Sequence, residues 1–306
     1  MKPRTLLWCL ALIALCLLDL IVSDGFSPAG GVILWKLRFP RMLAAVLAGG
    51  SLALAGAQMQ ALFRNPLADP HIMGVSGGAG LGASIAALAV TGSTFTLVSA
   101  AFAGALLTGL LVVWISARIH STGTLLLTGV MLGFVFSALS SILQYSATEE
   151  SLKLFYSWMA GSFGSVGSAG LIVMGTAFLI GLGIAVSVGK GLDLVLFGDE
   201  FAALSGLRLR RLRFLVMTGC ALLAGAVTAF CGPIGFVGIV APHIVRRMEG
   251  TSVHRVVIPL SPLCGASLAV GADIIAHIGH QPLPVGSTMA IIGIPLILVL
   301  LWRRRI

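Results

Sequence analysis

Residues 72–117 run for 46 positions without an Asp, Glu, Lys or Arg. A helix needs roughly 20 apolar residues to cross the hydrocarbon core of a bilayer. The stretch therefore holds two crossings, and Thr91-Gly92-Ser93-Thr94 is the turn between them. Composition agrees. Of 306 residues, 58% are apolar and 9% charged, against roughly 25% charged in soluble domains. No polar segment is long enough to fold separately, so residues 1–306 are expected to form a single membrane domain.

The same criterion divides the rest of the chain. Leu6–Val22 reads as a first span, with Asp19 toward its far end. Its basic head could belong to a secretory leader, but no convincing small-x-small cleavage pattern precedes Asp24. Met42–Phe63 and Ile119–Thr148 are further spans, and Leu154–Gly189 holds one at about 170–188 after a Gly/Ser-rich opening. Phe214–Val245 is 32 residues without a formal charge, broken by Cys231-Gly232-Pro233-Ile234-Gly235. It is too long for one crossing and too short for two. One full span followed by a short, protein-surrounded one fits. Val256–Ile278 and Leu283–Trp302 complete a count of ten. Gly74, Gly78 and Gly82 recur every four residues, a spacing that lets helices pack closely in lipid.

With an even count both termini share a side. Lys2, Arg4, Arg64, Arg118, Lys190, Arg208, Arg210, Arg211, Arg213, Arg246, Arg247, Arg255 and Arg303 to Arg305 then lie together, 15 of the 19 basic residues. Lys36, Arg38, Arg41 and Lys153 lie opposite. Basic loops stay cytoplasmic, so both termini are expected in the cytoplasm. The net charge of +9 is thus a topology signal, and no basic patch interleaved with aromatics suggests nucleic acid.

A pump must draw energy from somewhere. The nearest approach to a phosphate-binding loop, at Gly189-Lys190-Gly191, has Ile184 in place of the first glycine and Gly191 in place of the hydroxyl residue. An ion-coupled carrier would place carboxylates in mid-membrane. Asp19 and Asp273 are the two acidic residues within apolar spans, and helix pairing is the simpler reading of Asp273. A carrier working alone remains the alternative. His71, His120, His243, His254, His277 and His280 are dispersed and form no HExxH. His277 and His280 are spaced i, i+3, a weak metal or haem signal. Cys9, Cys16, Cys220, Cys231 and Cys264 form no CxxC pair and read as small buried hydrophobes. No catalytic residue, metal or cofactor is expected.

Three stretches carry a resemblance. The first is Arg38-Phe39-Pro40-Arg41, followed by a helix ending Gln58-Met59-Gln60-Ala61-Leu62-Phe63-Arg64-Asn65-Pro66-Leu67-Ala68-Asp69-Pro70 and Gly74-Val75-Ser76-Gly77-Gly78. The second is Cys231-Gly232-Pro233-Ile234-Gly235-Phe236-Val237-Gly238-Ile239-Val240-Ala241-Pro242-His243-Ile244-Val245-Arg246-Arg247. The third is Leu283-Pro284-Val285-Gly286-Ser287-Thr288 with Gly293-Ile294-Pro295. From about residue 35 onward the chain closely resembles FecCD-type permeases of binding-protein-dependent ABC importers, which carry ferric siderophores, haem and cobalamin.

The resemblance implies an all-α, ten-span fold of the type II ABC importer permease kind in the bacterial inner membrane. Implied partners are two cytoplasmic ATPase subunits, a second permease copy or paralogue, and a periplasmic or lipoprotein binding protein. Arg38 and Arg41 match outer arginines that receive acidic residues of the binding protein, and His277 falls near another. Asn65-Pro66-Leu67 and Ser121-Thr122-Gly123 match cytoplasmic gates. Phe197–Phe214 looks like a pair of short coupling helices broken at Gly206, with Asp199, Glu200, Ser205, Gly206, Leu207, Arg208, Arg210 and Arg211 as the ATPase contact. The cargo expected is an iron chelate, a ferric siderophore or haem, with cobalamin or an oxyanion as the alternative.

Overall fold

The computed structural model describes residues 3–22, 30–89, 94–119, 121–278 and 282–302, and among these there is no β-strand. Helix α1 (Pro3–Val22) comes first. A short α2 (Gly30–Ile33) runs through a π-turn at Leu34–Arg38 into α3 (Phe39–Leu62), whose first turn carries Pro40. Proline suits that position, where its missing N–H has no helical partner. Then follow α4 (Val75–Ala89), α5 (Thr94–Ser116), α6 (Thr122–Tyr145), α7 (Glu149–Met159) and α8 (Ser168–Val195). The chain closes with α9 (Asp199–Leu204), α10 (Leu209–Cys231), α11 (Val237–Glu249), α12 (His254–Ala276) and α13 (Val285–Trp302).

Among the described residues, six helical segments are long and apolar enough to cross a membrane: Gly31–Leu62, Thr94–Ser116, Thr122–Tyr145, Ser168–Val195, Leu209–Cys231 and His254–Ala276. Thr5–Ile21, Val75–Leu88 and Val285–Val299 are apolar but shorter. The long charge-free run does divide in two, as α4 and α5. Residues 90–93 at the division lie outside the described set, so the turn expected over Thr91-Gly92-Ser93-Thr94 can be assigned only at Thr94, which opens α5.

Two regions differ from the sequence reading. The Gly/Ser-rich piece is preceded by an amphipathic helix, α7, and α8 continues past Lys190 and Asp193 to Val195. Charged residues at a helix end reach water without ending the helix. The expected pair of short coupling helices is a single one, α9. After Ser205 and Gly206 the chain passes through Leu207 and Arg208 and enters α10 at once, so Arg210, Arg211 and Arg213 sit in the opening turns of a long helix.

Helix α3 is the hub. Of its 24 residues 18 are buried, and it packs against α8, α10, α11 and α12. Its small residues make this possible. A Cβ on Gly49 would run into the Gly265 carbonyl of α12, and one on Gly56 into the backbone of Gly238 in α11. Association in lipid rests on such close backbone contact. Helix α6 is the opposite case. Its buried residues are Thr122, Leu125, Gly129 and Ser140, and it leans mainly on α4 and the turn before it.

The interrupted stretch folds as expected, with α10 followed by a half-length helix. At 1.5 Å per residue the 13 residues of α11 reach only about 20 Å, short of the roughly 30 Å hydrocarbon core. The chain turns at Gly232 (φ 76°), and Phe236 (φ 70°) enters α11 in a conformation that side-chain-bearing residues seldom adopt. Broken backbone inside a membrane protein must find partners within the protein. Here Ser162 N–H donates to the Cys231 carbonyl at 2.9 Å and Trp158 Nε1–H to that of Ala229 at 3.0 Å. His71 Nε2 meets the Ile234 carbonyl at 2.8 Å, and Gln60 Nε2 donates to Gly238 at 3.1 Å.

Candidate functional site

Polar chemistry collects at the two ends of the bundle. Helix α3 joins them: Arg41 stands in its first turn and Arg64 just beyond its last, about 35 Å apart at 1.5 Å per residue.

At the Arg41 end, three helices meet through charge. Arg41 Nε lies 2.8 Å from Asp273 of α12, and Nη2 lies 3.6 Å from Asp19 of α1. The three side chains are 10%, 0% and 1% exposed respectively. His277 adds a contact at 3.5 Å from the Asp273 carboxylate, and its Nδ1 meets the Asp273 carbonyl at 2.8 Å. Arg38 Nη1 donates to the Leu20 carbonyl at 3.0 Å, closing the end of α1. Asp273 is thus an ion-pair partner. Arg38 and Arg41, read from sequence as groups at an outer face, have buried side chains with partners inside the chain. A depression of about 400 Å³ opens beside them, lined by Leu37, Arg41, Ser157, Gly161, His277 and Pro284 among others. His280, the spacing partner of His277, lies outside the described residues.

At the other end, four elements converge on one carboxylate. Asp199 opens α9. Its Oδ2 accepts from Arg213 Nη2 of α10 at 2.8 Å and from the Thr122 hydroxyl of α6 at 3.3 Å. Arg213 Nη2 also donates to Thr122 Oγ1 at 3.1 Å. Arg64 Nη2 stands 3.9 Å from Asp199 Oδ1. Of the residues expected to form gates, Thr122 belongs to this node and Asn65 directly follows Arg64. Ser121 caps α6 by accepting from Thr124 N–H, Thr122 is buried, and Gly123 is exposed. Asn65 Oδ1 accepts from Leu67 N–H at 2.9 Å, an Asx turn that carries Pro66. The rest of the coupling segment is largely open. Glu200, Ser205, Gly206, Arg208, Arg210 and Arg211 are exposed, Leu207 is half-buried, and Leu204 is 90% exposed.

Sequence reasoning named Asp199, Arg213, Thr122 and Arg64 separately and joined none of them. Thr122 and Arg213 are 91 positions apart, and no local spacing signals such a contact. It also passed over the polar staple of α11. Gln60 bridges Gly238 and Ile239, and Arg246 holds the Gln60 side-chain oxygen. His71 is fixed by Ser76 on one ring nitrogen and Ile234 on the other. The Ile234 carbonyl can only accept, so His71 Nε2 carries a proton. Among the described residues no group of three His, Cys, Asp or Glu converges in a way that could hold a metal ion.

Residues 6–303 match the FecCD transport family. The chain is 38% identical to the vitamin B12 import system permease protein BtuC of Klebsiella pneumoniae subsp. pneumoniae, covering 99% of this chain and 96% of that protein. It is 37% identical to the protein of that name from Escherichia coli O9:H4, covering 99% and 97%. Among solved structures, a metal-chelate type ABC transporter in an inward-facing conformation superimposes with a TM-score of 0.89 at 30% identity, covering 99% of this chain and 100% of that one. PsaBC of Streptococcus pneumoniae shares the fold, with a TM-score of 0.60 at 18% identity over 88% of this chain and 92% of that one.

Proposed function

Because the chain belongs to the FecCD transport family, we propose that it is the permease subunit of a binding-protein-dependent ABC importer for vitamin B12. It is a multi-pass protein of the bacterial inner membrane. The cargo reading rests on one observation, 38% identity over 99% of the chain to a vitamin B12 import permease. This moves the emphasis from the iron chelate expected of the sequence to cobalamin. The iron chelate keeps a second reading, supported by the metal-chelate type of the structural neighbour.

In this reading ten crossings place both termini in the cytoplasm, with α11 as the short eighth. The Arg41 end faces the periplasm and the Asp199 end the cytoplasm. Two ATPase subunits hydrolyse ATP and receive the exposed tip of α9, with Leu204 foremost and Arg208, Arg210 and Arg211 beside it. A second permease copy or paralogue completes the path. The binding protein docks at the depression beside Arg41 and His277. Arg41 is neutralised by Asp19 and Asp273, so its part, with that of Arg38, is to hold the helix ends that shape this depression. Asn65-Pro66-Leu67 and Ser121-Thr122-Gly123 close the inner end of the path.

The test is uptake by proteoliposomes holding the chain with its ATPase, supplied with loaded binding protein. Cyanocobalamin, ferric siderophore and haem are offered in turn. ATP-dependent accumulation of cyanocobalamin is expected. Accumulation of an iron chelate alone would move the cargo to the second reading. Uptake that needs no ATPase and depends on Asp273 would point to a carrier working alone.

A further inference from the structure

We infer that Asp199 is a positioning residue that ties the coupling helix to both inner gates, so that movement of α9 is carried to Thr122 through charge-assisted hydrogen bonds and to Arg64 through a longer ion pair. This deepens the proposed function and rests on its assignment of α9 to the ATPase and of residues 65–67 and 121–123 to the gates.

The coupling segment has two faces. Leu204, Phe197 and Phe201 are large apolar groups held out in the open, with Arg208, Arg210 and Arg211 beside them. That is the face a partner protein would cover. Asp199 belongs to the other face. Its side chain is 28% exposed and turns inward to Arg213 and Thr122. Arg213 is itself buried, so the pair is not a loose surface contact.

The groups Asp199 gathers come from three places in the fold. Thr122 is the first residue of α6, inside the gate sequence Ser121-Thr122-Gly123. Arg64 directly precedes the gate sequence Asn65-Pro66-Leu67. Arg213 lies in the opening turns of α10. The Thr122 hydroxyl uses both its capacities, donating to Asp199 and accepting from Arg213. Hydrogen bonds with a charged partner are shorter and about twice as strong as neutral ones. A cavity of about 330 Å³ lies beside the node, lined by Asp199, Glu200, Arg210 and Arg213 among others. A simpler role for Asp199, an acidic residue complementing the start of a helix, would not require the Thr122 hydroxyl. That difference is testable.

The experiment uses the complete complex in proteoliposomes, with loaded binding protein and labelled cyanocobalamin. The quantity read is cargo delivered per ATP hydrolysed. Thr122→Val keeps the shape of the side chain and removes the hydroxyl. It and Asp199→Asn are each expected to lower the ratio about five- to tenfold, with the ATPase still bound on size-exclusion chromatography. Thr122→Ser should hold the ratio within about twofold. The double variant should be no worse than Asp199→Asn alone, since both changes break one network. An unchanged ratio in Thr122→Val and Asp199→Asn overturns the inference. So does loss of the ATPase in step with loss of transport, which would make Asp199 a docking contact. If Asp199→Asn does not fold, Thr122→Val with Thr122→Ser decides the matter. Failure of the unaltered chain to retain an ATPase would instead overturn the importer reading itself.

Discussion

The two ends of this bundle use the same ion-pair chemistry under opposite conditions. At one end Arg41 lies between Asp19 and Asp273 with almost no exposure, and it ties α1, α3 and α12, long helices already packed on one another. At the other end Asp199 is partly open to water and gathers a six-residue helix, two helix starts and a loop. A dry pair surrounded by packed helices has no second arrangement available. A wet node on short elements can yield without the bundle coming apart. The contrast teaches that the same ion pair fixes helices where water is excluded and leaves its elements freer to shift where water is admitted.

The comparison is most exposed to failure at Arg41. Removing one partner of a buried pair leaves an uncompensated charge, at a cost of about 3–5 kcal/mol. Here Arg41→Met would strand two carboxylates. The expected result is a loss of that size in denaturation by SDS in mixed micelles, followed through the five tryptophans. The triple variant Asp19→Asn, Arg41→Met, Asp273→Asn should recover most of it, because none of the three charges is left without its partner. A single variant as stable as the unaltered chain would remove the distinction between the two ends.

The second effect tests whether the dry end depends on close packing. Gly49 stands two turns along α3 from Arg41, and a Cβ there would meet the Gly265 carbonyl and the Ala269 side chain. Overpacking of this kind costs about 1–3 kcal/mol. Gly49→Ala should therefore destabilise by that amount and also loosen the Arg41–Asp273 pair, since α3 and α12 must move apart. Combined with Asp273→Asn its cost should fall short of additive. Strict additivity would show that the packing and the pair are independent.

These two regions were unequally legible in the sequence. The helices of the dry end were readable because lipid as solvent leaves long charge-free runs, and the burial of Asp273 among apolar residues already implied a partner. The half-length α11 was readable too, because a 32-residue run with a Gly-Pro break has few ways to fold. The wet node was not. Its members are polar residues at helix ends, where Thr, Asp and Arg are common for capping reasons alone. The glycine repeat shows the same limit. Gly78 and Gly82 press against α5, and Gly74, which ends a short turn at φ 73° outside the helix, closely approaches Gly129 of α6. One spacing covered two physical causes.

At the wet node the stability effect should be small even though the transport effect is large. Partly exposed pairs contribute about 0.2–1 kcal/mol, and in Asp199→Asn the buried Arg213 keeps the Thr122 hydroxyl and the side-chain amide oxygen as acceptors. Asp199→Asn should fall within that range in the SDS titration that registers Arg41→Met strongly. A loss of several kcal/mol would mean that the node is structural, as the dry end is.

The smallest expected change in stability is at Leu204, on the tip of α9. An exposed apolar side chain without neighbours contributes little to its own fold, and substitutions at such positions stay within about 0.5 kcal/mol. Leu204 is 90% exposed, yet water is a poor environment for it, and a partner surface would give it a reason to be there. Leu204→Ser should leave the denaturation curve in place and reduce the fraction of ATPase retained by the complex. The two measurements separate the faces of one short helix. Leu204 should govern whether the ATPase stays, and Asp199, five residues earlier, what its movement accomplishes. Equal retention in Leu204→Ser would transfer the contact to the arginines at 208, 210 and 211, which a salt titration of the complex would then reveal.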